Sequence, residues 1–341
     1  MIPVFNKTEI NALSLLLATP LKIVITTHHN PDGDAIGSVL GLYHFLVSKK
    51  HKVKVITPSA YPEFIRWMKG NEKVIDFMQK PKVAAKCFAE ADLVFCLDFN
   101  DSKRVEGMEK ILLQSSAKKV LIDHHLEPVF KCDFLFSFPS SCATCEIIYH
   151  FIYALDPTFK MSTAIAECIY TGIMTDTGSF RFSSMSADTH RVIAALLDTG
   201  MRHEKIHESI SDTYSEERTR FLGYCLKDKM QVIQTFNCAY IALSKSEMEL
   251  YHNQPGDTEG IVNYPLSISG IKMSALFTER DDCIKISFRS KGDFSVRDFS
   301  SKYFNGGGHK NASGGKSYVS LDETLEHFIA ALAEYKKHIQ A

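Results

Sequence analysis

Four short apolar, β-branched runs alternate with helix-like stretches in the first half of this chain, and that alternation constrains the fold more than any other feature. The runs are LKIVITT at 21–27, KVKVIT at 52–57, DLVFCLD at 92–98 and KKVLID at 118–123. Each is strand-sized, β-branched and bounded by polar residues. Such runs are buried on both sides, which points to an open parallel α/β sheet covered by helices. A helix is predicted over 35–50, and another over 162–175, where Ile165, Ile169 and Ile173 recur at helical spacing.

The pattern changes twice further on. From 187 to 229 it becomes helical and charged, and HEKIHESISDTYSEERTR reads as a solvated helical face. After 230, the segments NCAYIAL, IKMSALFTE and CIKISFRS read as strands, followed by a glycine-rich loop and a terminal helix from about 321 to 338. The expected division is an N-terminal domain over 1–186, a helical connector over 187–229 and a smaller C-terminal α+β domain over 230–341. The length of 341 residues suits two domains.

Charge and cysteine usage exclude several functions. Thirty-nine basic residues against 40 acidic ones give a net charge of −1, so a grip on long nucleic acid is not expected. Nine cysteines, mostly in apolar stretches, read as free thiols of a reducing compartment rather than a disulfide framework. Cys142 and Cys145 form a lone C-x-x-C, read as helix-start packing or, alternatively, as a redox or metal motif. The N-terminus has no secretory pattern, and no apolar run approaches the roughly 20 residues of a membrane span. A cytoplasmic location is expected.

The chemistry gathers at strand ends. The first run leads into His28-His29-Asn30-Pro31-Asp32-Gly33-Asp34, the third into Asp98-Phe99-Asn100-Asp101, and the fourth into Asp123-His124-His125. Open α/β sheets bind ligands outside the carboxyl ends of their strands. Thr175-Asp176-Thr177-Gly178 follows a buried helix and can reach the same edge. An Asp after a strand is ordinarily a turn former or helix cap. Four clusters of His and carboxylate at equivalent ends need more than that. Imidazole and carboxylate suit Mn²⁺, Mg²⁺ or similar ions, and the absence of Cys argues against structural zinc. The ligand supply exceeds the needs of one ion, and paired metals are a device for phosphoryl hydrolysis.

The motifs HHNPDGDAIGS, DFND, DHH and GIMTDTGSF, with GGGHKNASGG downstream, resemble those of the DHH phosphoesterase superfamily and its associated C-terminal domain. The resemblance spans nearly the whole chain. It is nearest to the oligoribonuclease and pAp-phosphatase group (nanoRNases of the NrnA type, often called exopolyphosphatase-related). It implies a metal-binding N-terminal domain, a smaller substrate-binding C-terminal domain and a cleft between them. It also implies residue roles. His28 and Asp32 would bind one metal, Asp34, His124 and Asp176 the other, and Asp98 would bridge. Asp123 would orient a histidine, and His125 would face the substrate phosphate. His29 is left outside the ligand set. Arg104, Arg289, Gly307, Gly308 and His309 would contact the substrate. Arg297 departs from the family pattern, where a small residue is usual.

The expected function is hydrolysis of short oligoribonucleotides, including dinucleotides, and of 3′-phosphoadenosine 5′-phosphate by water activated between two divalent ions. Mn²⁺ is the expected metal, with Mg²⁺ or Co²⁺ as alternatives. Partners are short RNA oligonucleotides or small phosphorylated nucleotides, with no long nucleic acid and no membrane, and a homodimer is allowed for. The competing readings are a cyclic-di-AMP phosphodiesterase, an exopolyphosphatase and, outside the enzymes, a nucleotide-sensing binding protein.

Overall fold

A computed structural model describes residues 2–254 and 256–340, with the side chains of 336–340 left aside. The chain divides into two compact units after Thr213. In the first, α1 (Lys7–Leu16) and β1 (Lys22–Thr26) are followed by α2 (Gly33–Ser48), β2 (Lys52–Thr57), β3 (Val74–Asp76) and α3 (Pro81–Glu90). Then come β4 (Leu93–Leu97), α4 (Glu109–Gln114), β5 (Lys118–Asp123), β6 (Phe134–Ser137) and α5 (Thr144–Leu155). The unit ends with α6 (Thr163–Asp176), α7 (Ala187–Leu197) and α8 (His203–Ser211).

The six strands form one parallel sheet in the order β3-β2-β1-β4-β5-β6. Both faces are buried, which explains the near-continuous apolar runs. Ile23, Ile25, Phe95 and Ile122 face one core with α2, α5 and α6, while Val24, Val94, Cys96 and Leu121 face a second with Phe88 and Leu112. Each such side chain contributes roughly 1.5–3 kcal/mol on burial. Helices α2 and α6 cross closely because Gly37 has no side chain: a Cβ there would lie 2.4 Å from the Cys168 carbonyl oxygen. From β1 the chain winds outward through β2 and β3, and from β4 it winds the other way. The strand order therefore reverses between β1 and β4, the place where such sheets take their ligands.

The second unit contains α9 (Glu216–Tyr224), β7 (Met230–Ile233), β8 (Cys238–Leu243), α10 (Lys245–Leu250), β9 (Met273–Glu279) and β10 (Ile284–Ser290). It continues with α11 (Val296–Tyr303), β11 (Gly307–His309), β12 (Ala312–Ser317) and α12 (Leu321–Gln340). Its sheet runs β11-β12-β10-β9-β8-β7, antiparallel except for the parallel pair β8–β9. Phe277, Phe288, Phe299, Phe304 and Phe328 form its core. The segment 187–229 is helical, with α7 and α8 in the first unit and α9 in the second. The charged helix α8 buries Ile206 and Ile210.

One expectation needs correcting. The glycine-rich stretch 306–315 is not a loop: it holds the strand pair β11–β12, with Gly307 opposite Gly314 and His309 opposite Ala312. The glycines serve close approach there. A Cβ on Gly306 would stand 2.1 Å from the Gly314 carbonyl oxygen, and one on Gly315 would stand 2.9 Å from the Phe304 backbone. Among the described residues, no helix is long and apolar enough to cross a membrane.

Candidate metal centre

The β1–β4 switch point carries the chemistry. Beyond β1, His28 is buried, and its Nδ1–H donates to the His29 carbonyl oxygen at 2.8 Å. A carbonyl can only accept, so Nδ1 carries a proton, and Nε2 faces Asp98 Oδ2 at 3.5 Å. Beyond β5, His124 is held alike: Nδ1 pairs with the Ser141 carbonyl oxygen at 3.3 Å, and Nε2 faces Asp98 Oδ1 at 3.6 Å. One buried carboxylate thus offers one oxygen to each of two histidines. Asp98 follows β4 with a φ of +64°, a left-handed conformation unusual for a side-chain-bearing residue, and such strain gathers at functional sites.

Asp32 has two tasks. Its Oδ1 caps α2 by accepting from the Asp34 and Ala35 N–H groups at 3.1 and 3.0 Å. Its Oδ2 stays 3.9 Å from His28 Nε2. Asp34, in the first turn of α2, is buried against the start of α5. Its two oxygens accept the Thr144 and Cys145 N–H groups at 2.6 and 2.9 Å. Those amides sit at a helix N-terminus, where the dipole favours an anion. Asp176, the last residue of α6, places Oδ2 3.6 Å from His124 Nε2.

Donor atoms of His28, Asp32 and Asp98 all lie within 4.8 Å of one another, as do those of Asp34, His124 and Asp176. Asp98, Asp123 and His125 form a further group of this kind. All six sequence-predicted ligands therefore meet at one edge of the first unit. Asp123 pairs with His125, whose Nδ1–H donates to Asp123 Oδ1 at 2.7 Å. Among the described residues, the other oxygen of Asp123 is buried without a hydrogen-bond partner.

The electrostatics describe a site short of positive charge. Burial, with the charges of Asp98 and Asp176, pushes Asp34 well above the ordinary carboxyl range. Burial lifts Asp176 to about 6 despite His124. Burial also works against a charged Asp98, but His28, His125 and His124 outweigh it and hold its carboxyl low. Burial disfavours a protonated His124, yet Asp176, Asp98 and Asp34 raise it to about 9. A cluster of carboxylates and imidazoles without thiolate suits hard or borderline divalent cations, which would relieve this crowding. The nearby C-x-x-C does not compete. Cys142 and Cys145 are buried, burial pushes both thiols up, and Cys145 Sγ points at the Asp34 and Cys168 carbonyl oxygens.

The remaining predicted residues fall into two places. Arg104 lies in the 3₁₀ turn Ser102–Met108 after β4, and its carbonyl oxygen accepts the His29 N–H at 2.7 Å. Its charge acts on His28. His29, left without a role by the sequence, places Nε2 3.5 Å from Glu106 Oε2 in the same turn. In the second unit, Arg289 on β10 and His309 on β11 both stand opposite Ala312 on β12, so they share a row and a face of the sheet. Gly307 and Gly308 precede His309 on β11. Arg297 sits on α11.

Sequence reasoning missed Ser141, Thr144 and Glu146. Thr144 Oγ1 donates to Asp98 Oδ1 at 2.8 Å, and buried Glu146 accepts from Cys142 N–H and Thr189 Oγ1 at 3.0 and 2.7 Å. The available signal was the polar run SSCATCE after FLFS, another strand end on the same edge.

Comparison with known proteins gives the family and the fold. Residues 22–173 match the DHH family, N-terminal domain, and residues 248–338 match the DHHA1 domain. The bifunctional oligoribonuclease and PAP phosphatase NrnA of Thermus thermophilus is 29% identical over 327 residues, covering 94% of this chain and 92% of that protein. Its counterpart in Mycoplasma genitalium is 30% identical over 303 residues, covering 86% and 87%. The crystal structure of an exopolyphosphatase-related protein from Bacteroides fragilis is 40% identical with a TM-score of 0.96, covering 100% of both chains.

Proposed function

We propose, for a chain that belongs to the DHH family, that it is a phosphoric ester hydrolase acting on short oligoribonucleotides and on 3′-phosphoadenosine 5′-phosphate, with two divalent cations, Mn²⁺ foremost. The observation that carries this reading is Asp98, whose two oxygens face His28 Nε2 and His124 Nε2. A carboxylate so placed can serve two cations at once. His28 and Asp32 would hold one, Asp34, His124 and Asp176 the other. When bound, such ions lower the pKa of water and neutralise phosphoryl charge. The protein's own groups do the rest. The backbone carbonyls behind His28 and His124 fix which ring nitrogen is presented. Asp123 fixes the ring of His125 through Nδ1, and Nε2 would meet a phosphoryl oxygen or protonate the departing one. Arg104, Arg289, Gly307, Gly308 and His309 would hold the substrate's phosphate or nucleotide. The shared row of Arg289 and His309 supports that role.

The substrate assignment follows the NrnA relatives, which match this chain nearly end to end. The free cysteines among the described residues suit the cytoplasmic location proposed with it. The test is a parallel turnover assay on 3′-phosphoadenosine 5′-phosphate, a diadenylate, cyclic di-AMP and a short polyphosphate, with Mn²⁺ or Mg²⁺ restored after chelation. The first two should be hydrolysed and the chelated protein should be inactive. Preference for cyclic di-AMP or polyphosphate would replace the substrate assignment, and turnover in chelator would end the metal reading.

A further inference from the structure

The loop after β6 and the first turn of α5 carry none of the expected ligands, yet they touch three of them. The Ser141 carbonyl oxygen pairs with His124 Nδ1, and the Thr144 and Cys145 N–H groups fill both oxygens of Asp34. The Thr144 hydroxyl donates to Asp98 Oδ1 at 2.8 Å. Thr144 is completely buried. Its two donors therefore reach one carboxylate of each metal cluster, Asp98 through the side chain and Asp34 through the backbone.

The hydroxyl matters because of how a carboxylate turns. The last torsion of an aspartate joins an sp³ to an sp² carbon and has broad wells, so the rotamer alone does not aim the two oxygens. Aiming requires an outside donor. The Thr144 hydroxyl is the near one, at 2.8 Å, whereas Nε2 of His28 and Nε2 of His124 stand 3.5 and 3.6 Å from the same carboxylate. The first turn bearing Thr144 is itself pinned. Glu146 accepts the Cys142 N–H and, on its other oxygen, the hydroxyl of Thr189, which belongs to the capping box of α7.

We propose that Thr144 is the positioning residue that aims the shared carboxylate of Asp98 and fixes its distance from Asp34. The inference rests on the reading of Asp98 as the carboxylate common to two cations. Loss of partners behind metal ligands commonly costs 10–100-fold in metal affinity or activity. Thr144→Val keeps the shape and the N–H to Asp34 and removes only the hydroxyl.

The experiment is a Mn²⁺ titration of the full chain, with free Mn²⁺ read by its paramagnetic resonance signal, alongside steady-state kinetics on a diadenylate. Wild type should take up two Mn²⁺. In Thr144→Val the weaker site should lose roughly 10–100-fold in affinity. At saturating Mn²⁺ kcat should fall with KM within about twofold, the pattern of a misaimed reacting group rather than a lost substrate contact. Thr144→Ser, which restores the hydroxyl, should recover both quantities. Unfolding midpoints in chelator verify the fold, and Thr144→Ala takes the place of the valine variant if that protein does not fold. Wild-type Mn²⁺ affinity and kcat without the hydroxyl would overturn the role of Thr144 while leaving two sites intact, as would a serine variant that recovers neither. A wild-type chain that takes up no second Mn²⁺ would instead overturn the two-cation reading beneath it.

Discussion

A Cβ on Gly172 would stand 2.7 Å from Oδ1 of Asp34 and 2.2 Å from Sγ of Cys145. Helix α6 can close over this carboxylate because residue 172 has no side chain. Gly172→Ala should therefore destabilise the fold by roughly 1–3 kcal/mol, the usual cost of overfilling a packed interior, and should weaken Mn²⁺ binding through Asp34. Gly223, in α9, has open space where its Cβ would be. Gly223→Ala should stabilise by roughly 0.5–1 kcal/mol, the helical preference for alanine over glycine. Urea unfolding of both variants with and without Mn²⁺ separates packing from metal binding. Equal behaviour of the two would refute the close fit at Gly172.

Asp98→Asn replaces the oxygen facing one of the two histidines with an amide nitrogen. A neutral amide cannot balance two cations. Turnover should fall by at least the order of 10²-fold, since even partners behind the ligands are worth 10–100-fold. The unfolding midpoint in chelator checks that the fold survives. Near wild-type kcat at saturating Mn²⁺ would remove Asp98 from the bridging position.

His125 pairs with Asp123 and belongs to neither the His28, Asp32 and Asp98 group nor the Asp34, His124 and Asp176 group, although its Nδ1 lies 3.9 Å from Asp98 Oδ1. His125→Ala should lower kcat by about 10²–10⁴-fold, the range of general acid–base assistance, with bound Mn²⁺ unchanged by elemental analysis. Asp123→Asn should show a smaller loss in the same direction, because it disturbs only the ring that Asp123 holds. Lost metal in the alanine variant would make His125 a ligand instead.

The sequence made the metal edge readable because each expected ligand lies within a few residues of a buried apolar run, and such runs report their own ends. Burial on both faces gave β1, β2, β4 and β5 within a residue of their bounds. It gave nothing for β3 and β6, edge strands of three and four residues with few fully buried positions. Missing β6 hid the segment after it, and with it Thr144, whose role depends on a contact across 46 residues that no local pattern encodes. The glycines of 306–315 misled in the opposite way. Their spacing suggests a pliant loop, whereas close packing against Phe304 and Ser300 turns the stretch into sheet.

The second unit should show its own acid sensitivity. Glu247 accepts from Lys229 Nζ at 2.7 Å and from the Ser244 N–H and hydroxyl at 2.8 and 2.9 Å. Burial raises its carboxyl, but Lys229, Tyr224 and Ser244 outweigh burial and hold it at about 2. A folded-state value below the unfolded one contributes stability above the unfolded value, near 4.5, and loses it as pH falls toward 2. The stability of wild type over Glu247→Gln should be constant above about pH 5.5 and shrink steadily below pH 4.5. Urea midpoints across that range measure the difference, and a difference that grows on acidification would contradict the assignment.

Substrate length is the last quantity the charge distribution controls. An extended RNA is gripped by a track of basic side chains, each phosphate contact releasing counterions. A chain with 39 basic and 40 acidic residues has no surplus to build such a track, and its candidate phosphate contacts are a few residues such as Arg104, Arg289 and His309. kcat/KM should therefore be highest for RNAs of two to a few nucleotides and fall steeply for a twenty-nucleotide strand. Its salt dependence on the dinucleotide should be shallow. A single-stranded ligand held at two or three phosphates gives a slope of log affinity on log salt of about −1 to −2. A steep slope together with equal rates on two and twenty nucleotides would mean a long basic groove, and the enzyme would then be a nuclease that moves along its substrate.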